Sequence, residues 1–206
     1  MLGAKQIANR SQPTPYASGD DFRRIFDEDM NGLYLLSFLL TGDHEKAEQC
    51  FVSGLEDAVE GNPVFKEWAR SWARRTIIQN AIRVINPRPV EGRGRPNCAS
   101  VDSSDKNLPA EQHVEIAAVL GLEPFERFVY VMTVLERYSD HECSILLGCA
   151  RRHLVAARPR ALKNIGSAVE SHYKQLPNAG SEKPVLNGSG NSVLEWLDAP
   201  RLVTSA

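Results

Sequence analysis

The chain has 206 residues and a formal net charge of -2, which excludes a protein whose whole surface grips nucleic acid but not one with a local basic patch. No apolar run approaches the roughly 20 residues needed to span a bilayer, and the opening MLGAKQIANRSQPTPYASG lacks the apolar core of a signal peptide. A cytoplasmic protein without membrane partners is expected. The four cysteines, Cys50, Cys98, Cys143 and Cys149, have no framework spacing and fit a reducing compartment better than a disulfide scaffold.

Residues 1–19 are rich in Pro, Ser, Gly and Asn and read as a disordered N-terminal segment. From Asp20 the spacing turns helical, with Phe22, Ile25, Phe26, Met30, Leu33, Leu36 and Leu40 predicting one amphipathic helix. A second helix begins after Thr-Gly-Asp with Asp43 as N-cap and Ala47, Cys50, Phe51 and Leu55 facing inward. The third is expected from Asn62 as cap and Pro63 as its first residue, and NPRP ends it. Its apolar stripe contains Phe65, Trp68, Trp72, Ile78, Ile82 and Ile85, so both tryptophans are expected in the core.

Residues 87–109 contain Pro87, Pro89, Pro96 and Pro109 and almost no large apolar side chains, which suits a linker. Within it GRGRP, Gly92 to Pro96, resembles the core of an AT-hook, a solvated basic tether being the plainer reading. Beyond it come a short helix through Val114 to Leu122, another in PFERFVYVMTVLERY, and a helix capped by Ser139 and Glu142, with Ile145 to Leu147 in the core. Gly148 closes that helix in the left-handed position and a further helix follows, a helix-turn-helix pattern. Pro159 then predicts a kink, or a helix ending near Ala157 and a new one beginning. Residues 177–206 read as a flexible tail in which Val193, Leu194, Trp196 and Leu197 suit a short amphipathic helix. The fold expected is all-α: a helical domain over 20–86, the linker, and a helix-turn-helix domain over 110–176.

Charge alternates by segment. Asp20 to Glu60 holds eleven acidic and three basic residues, Pro63 to Arg95 eight basic and two acidic, and Ala150 to Lys163 five basic and none acidic. Such alternation suits a protein that touches two different partners. Lys66, Arg70, Arg74, Arg75 and Arg83 recur near helical spacing and can track phosphates, a solvated face being the alternative.

LYLLSFLLTGDHEKAEQCFVSGLEDAV followed by FKEWARSWARRTIIQNAIR resembles the promoter-melting domain, region 2, of the extracytoplasmic-function group of bacterial RNA polymerase sigma factors. LEPFERFVYVMTVLERYSDHECSILLGCARRHLVAARPRAL is similar to their second DNA-binding domain, region 4. The resemblance implies core RNA polymerase, promoter DNA and an anti-sigma factor as partners. Glu45, Glu48, Gln49 and Ser53 would then lie at the polymerase, where the family usually carries acids and Gln; Phe51, Val52 and Ser53 depart from that pattern. Lys66, Arg70, Arg74, Arg75, Gln79, Asn80 and Arg83 would lie at the minus-ten DNA, and Arg151, Arg152, His153, Arg158 and Arg160 at the upstream duplex. Here only EGNPV joins the second and third helices, where the family has a longer, base-capturing loop.

In the family the first two turns of the last helix carry Lys and Arg, whereas this chain has Leu154, Val155, Ala156 and Ala157, which cannot hydrogen-bond base edges. Two readings stay open: a kinked reader that binds through its leading arginines, or an apolar LVAA surface that packs against protein. The corresponding functions are a sigma-like transcription initiation subunit and a sigma-like interaction protein that binds polymerase or a regulator without sequence-specific promoter reading. An enzyme is not expected, since there is no phosphate loop, nucleophile elbow or metal-binding helix motif, and no cofactor is implied. His141, Cys143, Cys149 and His153 lack the short cysteine pair of a structural metal clip, so no metal site is expected.

Overall fold

The computed structural model describes residues 15–89 and 110–175, with side chains from 15 to 89 and 114 to 174. Among the described residues there are eight α-helices and no strand. None of these helices is long and apolar enough to cross a membrane.

A capping box opens α1 (Gly19–Glu28): the Ser18 hydroxyl accepts from the Asp21 N–H and the Asp21 carboxylate accepts from the Ser18 N–H. The single helix expected over 20–40 is in fact two, because the chain turns at Asp29 before α2 (Met30–Thr41) begins. The reason is burial. Helix α1 offers one apolar face, Phe22, Ile25 and Phe26, whereas α2 buries Gly32, Ser37 and Thr41 as well as Leu33, Leu36, Leu39 and Leu40, a little over half its circumference, so α2 needs neighbours on sides where α1 needs none. Helix α2 stops at Gly42, whose φ of 70° is a left-handed position that favours glycine. Asp43 caps α3 (His44–Glu60) as expected, accepting from the Lys46 N–H at 2.9 Å.

Asn62 and Pro63 do not open the next helix. Residues 62–64 are non-helical, a single 3-10 turn follows at Lys66–Trp68, and α4 runs Ala69–Ile85. Backbone pairing explains the delay: Ala17 N–H donates to the Val64 carbonyl at 2.7 Å and Lys66 N–H to that of Pro15 at 3.0 Å, while Tyr16 stacks on Phe65. Residues 15–19, expected to be loose, are therefore tied down. Residues 1–14 lie outside the described part, as do residues 90–109 with the Gly92 to Pro96 motif and the tail beyond Gln175 with Val193 to Leu197.

The second segment contains α5 (Ala110–Leu120), α6 (Pro124–Tyr130), a π-helical turn at Val131–Leu135, α7 (Asp140–Leu146) and α8 (Arg151–Gln175). The Ser139–Glu142 capping box and the left-handed Gly148 stand where expected. Ile145 does not: it is 62% exposed, while Cys143 and Leu147 are buried. These two are four residues apart on one face, and Ile145 lies about 200° around the helix from Cys143.

Pro159 does not end α8, which runs on as one continuous helix. Leu154, Ala157 and Ala161 pack inward at helical spacing on both sides of the proline, which is itself exposed. Arg158 donates to Asp140 and Arg160 Nε to Glu126 at 2.8 Å, so neighbouring helices hold the backbone on either side. Leu154 and Ala157 thus point inward while Val155 and Ala156 face solvent, which divides the expected LVAA surface between two faces.

The separate cores expected for the two segments are joined. One hydrophobic cluster runs from Phe22, Leu36, Leu40 and Ile77 to Phe125, Phe128, Met132 and Leu154.

The interior proline leaves the Val155 carbonyl without its helical donor. Replacing Pro159→Ala should raise the free energy of unfolding by about 1–3 kcal/mol, read from urea denaturation. An unchanged midpoint would show that the missing bond costs nothing here.

Candidate nucleic-acid interface and its internal counterions

The basic side chains of α4 emerge from one helix into quite different surroundings. Arg70 is exposed and pairs with Glu28 at 2.5 Å, Arg83 is exposed and pairs with Asp57 at 2.8 Å, and Lys66 lies 3.6 Å from Asp21. Arg74 is only 12% exposed. Its Nε and Nη2 donate to the two oxygens of Glu136 at 2.8 and 2.6 Å, and Nη1 donates to Asp29 at 3.3 Å. Glu136 belongs to the second segment, and its side chain is 1% exposed. Burial alone would depress the Arg74 pKa, but the hydrogen bonds and charge of Glu136, with Asp29, outweigh it and raise the value. Asp29 is itself raised, because burial outweighs the nearby arginines.

Asn80, expected at DNA, is buried. Its amide donates to Asp57 at 3.0 Å and to the Thr76 carbonyl at 2.9 Å, and its oxygen accepts from Arg83 at 3.1 Å. Arg75 and Gln79 are half-buried. Two guanidiniums and an amide of the expected DNA set are therefore engaged with Asp57 or Glu136.

Between Arg151 and Lys163 the outward residues of α8 are Arg151, Arg152, Val155, Ala156, Pro159, Arg160, Leu162 and Lys163. Arg151 and Arg158 share the Asp140 carboxylate, and Arg158 Nε also donates to Thr133 Oγ1 at 3.2 Å. His153 is half-buried with its Nδ1 lacking a partner. Neither Arg152 nor Lys163 has a carboxylate within ion-pair distance among the described residues, and the Arg152 Nε lies 3.4 Å from His153 Nε2.

The acidic helix is simpler. Glu45, Glu48, Gln49, Val52 and Glu56 form an exposed ridge on α3, with Ser53 half-buried at its edge. Neither Glu45 nor Glu48 has an ion pair among the described residues.

The tryptophans separate. Trp72 is half-buried against the core, whereas Trp68 is 58% exposed, because the 3-10 turn that carries it precedes α4 and swings it off the apolar stripe. With Phe65, Arg75, Glu136 and Tyr138 they line a cleft of about 460 Å³ between the two segments. The indole N–H of Trp72 is buried without an acceptor. Burial, with the charge of Glu136, pushes the Tyr138 hydroxyl up to about 12.

A second inter-segment contact was not foreseen. Arg127 is buried, and it donates through Nη2 to the Thr41 carbonyl at 3.1 Å and through Nη1 to that of Leu120 at 3.3 Å. Thr41 ends α2 and Leu120 ends α5, so one cation meets the negative ends of two helix dipoles. Burial lowers its pKa, with Glu123 opposing. A side chain added at Gly42 would stand 2.8 Å from this guanidinium, so glycine is needed there for approach as well as for its φ. The sequence signal was an arginine set inside the apolar run PFERFVY.

Replacing Glu136→Ala strands Arg74 with only Asp29 and should cost about 3–5 kcal/mol of stability, measured by urea denaturation. A loss below 1 kcal/mol would mean that water or Asp29 fully takes over the cation.

Protein-family models, curated proteins and solved structures were compared with the chain, and none matches.

Proposed function

We propose that this chain is a sigma-like transcription initiation subunit: α3 docks on core RNA polymerase, α4 engages minus-ten DNA, and α7 with α8 addresses upstream duplex. The observation that supports it best is the segregation of outward-facing charge. The α3 ridge at Glu45, Glu48 and Glu56 faces solvent without an internal cation, while Arg151 and Arg152 lead an exposed face of α8. A carboxylate ridge suits a basic protein partner, and leading arginines beside a capped short helix suit phosphate. In this reading residues 20–86 and 110–176 act as two DNA-directed units joined by the intervening linker, in a cytoplasmic protein that an anti-sigma factor can control.

A second reading, polymerase binding without promoter reading, is favoured by one observation: Arg74, central to the expected DNA set, is neutralised by Glu136. Runoff transcription from genomic fragments separates the two, since only the first reading yields transcripts with defined starts.

Double reversal of Glu45→Lys and Glu48→Lys should weaken capture of purified bacterial core polymerase by about tenfold or more through like-charge repulsion. Pull-down with the unaltered protein as reference measures this, and undiminished capture would rule out α3 as the docking face.

A further inference from the structure

We infer that the segment around Glu136 is an intramolecular competitor for the basic face of α4, and that it must leave Arg74 before DNA can reach that face. This inference rests on the transcription reading above. The planar carboxylate of Glu136 takes both Nε and Nη2 of Arg74, the fork geometry with which a guanidinium receives a phosphate. Phosphate and Glu136 cannot occupy that fork together. Tyr138 and Glu142, which follow in the chain, line the same cleft as Trp68 and Trp72, so the same segment also limits access to the aromatic side chains beside the fork.

The local backbone is built to present this carboxylate. The π-helical turn at Val131–Leu135 ends with Glu136 N–H donating to the Val131 carbonyl at 2.9 Å, and Arg137 then takes a left-handed φ of 57°. A π turn adds a residue to the helical circuit and commonly marks a functional position. Here it brings Glu136, the residue after the buried Leu135, round to α4.

The contact is suited to release. Two of its polar holds are Arg74 to Glu136 and Arg127 to the Thr41 carbonyl, and both buried cations lose hydration in making them, which offsets much of their attraction.

The test uses the full chain and a fluorescein-labelled 30-base-pair duplex with a central unpaired bubble, followed by fluorescence anisotropy at several salt concentrations. Glu136→Gln keeps the shape and removes the competing charge. It should tighten binding at least about fivefold and steepen the salt slope by about 0.9, the value for one added phosphate contact on duplex. Arg127→Met, which shares no hydrogen-bond partner with the fork, should tighten binding too, and adding Arg74→Ala to Glu136→Gln should abolish the gain. In the unaltered protein, saturating DNA should speed amide exchange over residues 131–138, a readout that needs no variant.

Equal DNA affinity of the unaltered chain, Glu136→Gln and Arg127→Met, with exchange over 131–138 unchanged by DNA, would overturn the competitor and leave the transcription reading standing if core polymerase is still captured. Loss of both DNA binding and polymerase capture in every form would overturn both.

Discussion

Two buried guanidiniums set how the described elements meet, and they solve the problem of a desolvated cation in different ways. Arg74 is met by carboxylates from α1's end and from the π turn, whereas Arg127 is met by carbonyl oxygens at the ends of α2 and α5. An unpaired buried charge is among the costliest defects a fold can contain. Each arginine therefore fixes the mutual positions of the elements that supply its acceptors. Around them the apolar side chains of both segments close into one cluster.

This arrangement also changes the meaning of the charge pattern. Read along the chain, an acidic stretch is followed by basic ones and suggests two outward-facing patches. In space much of that charge is turned against itself: Asp57 takes Arg83, Glu28 takes Arg70, Asp140 takes Arg158 and Glu126 takes Arg160. The exposed pairs among these add little stability, on the order of 0–1 kcal/mol each, but they set which cations remain free to meet a partner. Outward charge without such a partner includes the α3 ridge and, on α8, Arg152 and Lys163.

The local rules of the chain were legible in its sequence. Asp43 as a cap, the Ser139–Glu142 box and the left-handed Gly148 depend on neighbours within four residues, and each stands as read. Most of the misreadings involve tertiary demand. The turn at Asp29 comes from the different burial of α1 and α2; the outward Trp68 comes from a pairing of residues 15–17 with 64–66; the unbroken helix at Pro159 comes from inward packing on both sides of it. Periodicity gives the face of a helix but not its partner, so Glu136, 62 positions from Arg74, could not be chosen over the other carboxylates. Arg127 was hidden for the converse reason, since its acceptors are backbone carbonyls, which carry no sequence signature.

The thiols have a practical consequence. Cys50 in the first segment and Cys143 in the second are both fully enclosed, and burial pushes them up to about 11 and about 12. Because the thiolate is the reactive species, neither sulfur meets an alkylating reagent while its surroundings are closed. Each is in effect a sealed timer placed in one half of the molecule, so a mass-spectrometric labelling course can follow the unsealing of the two halves separately, without any added probe.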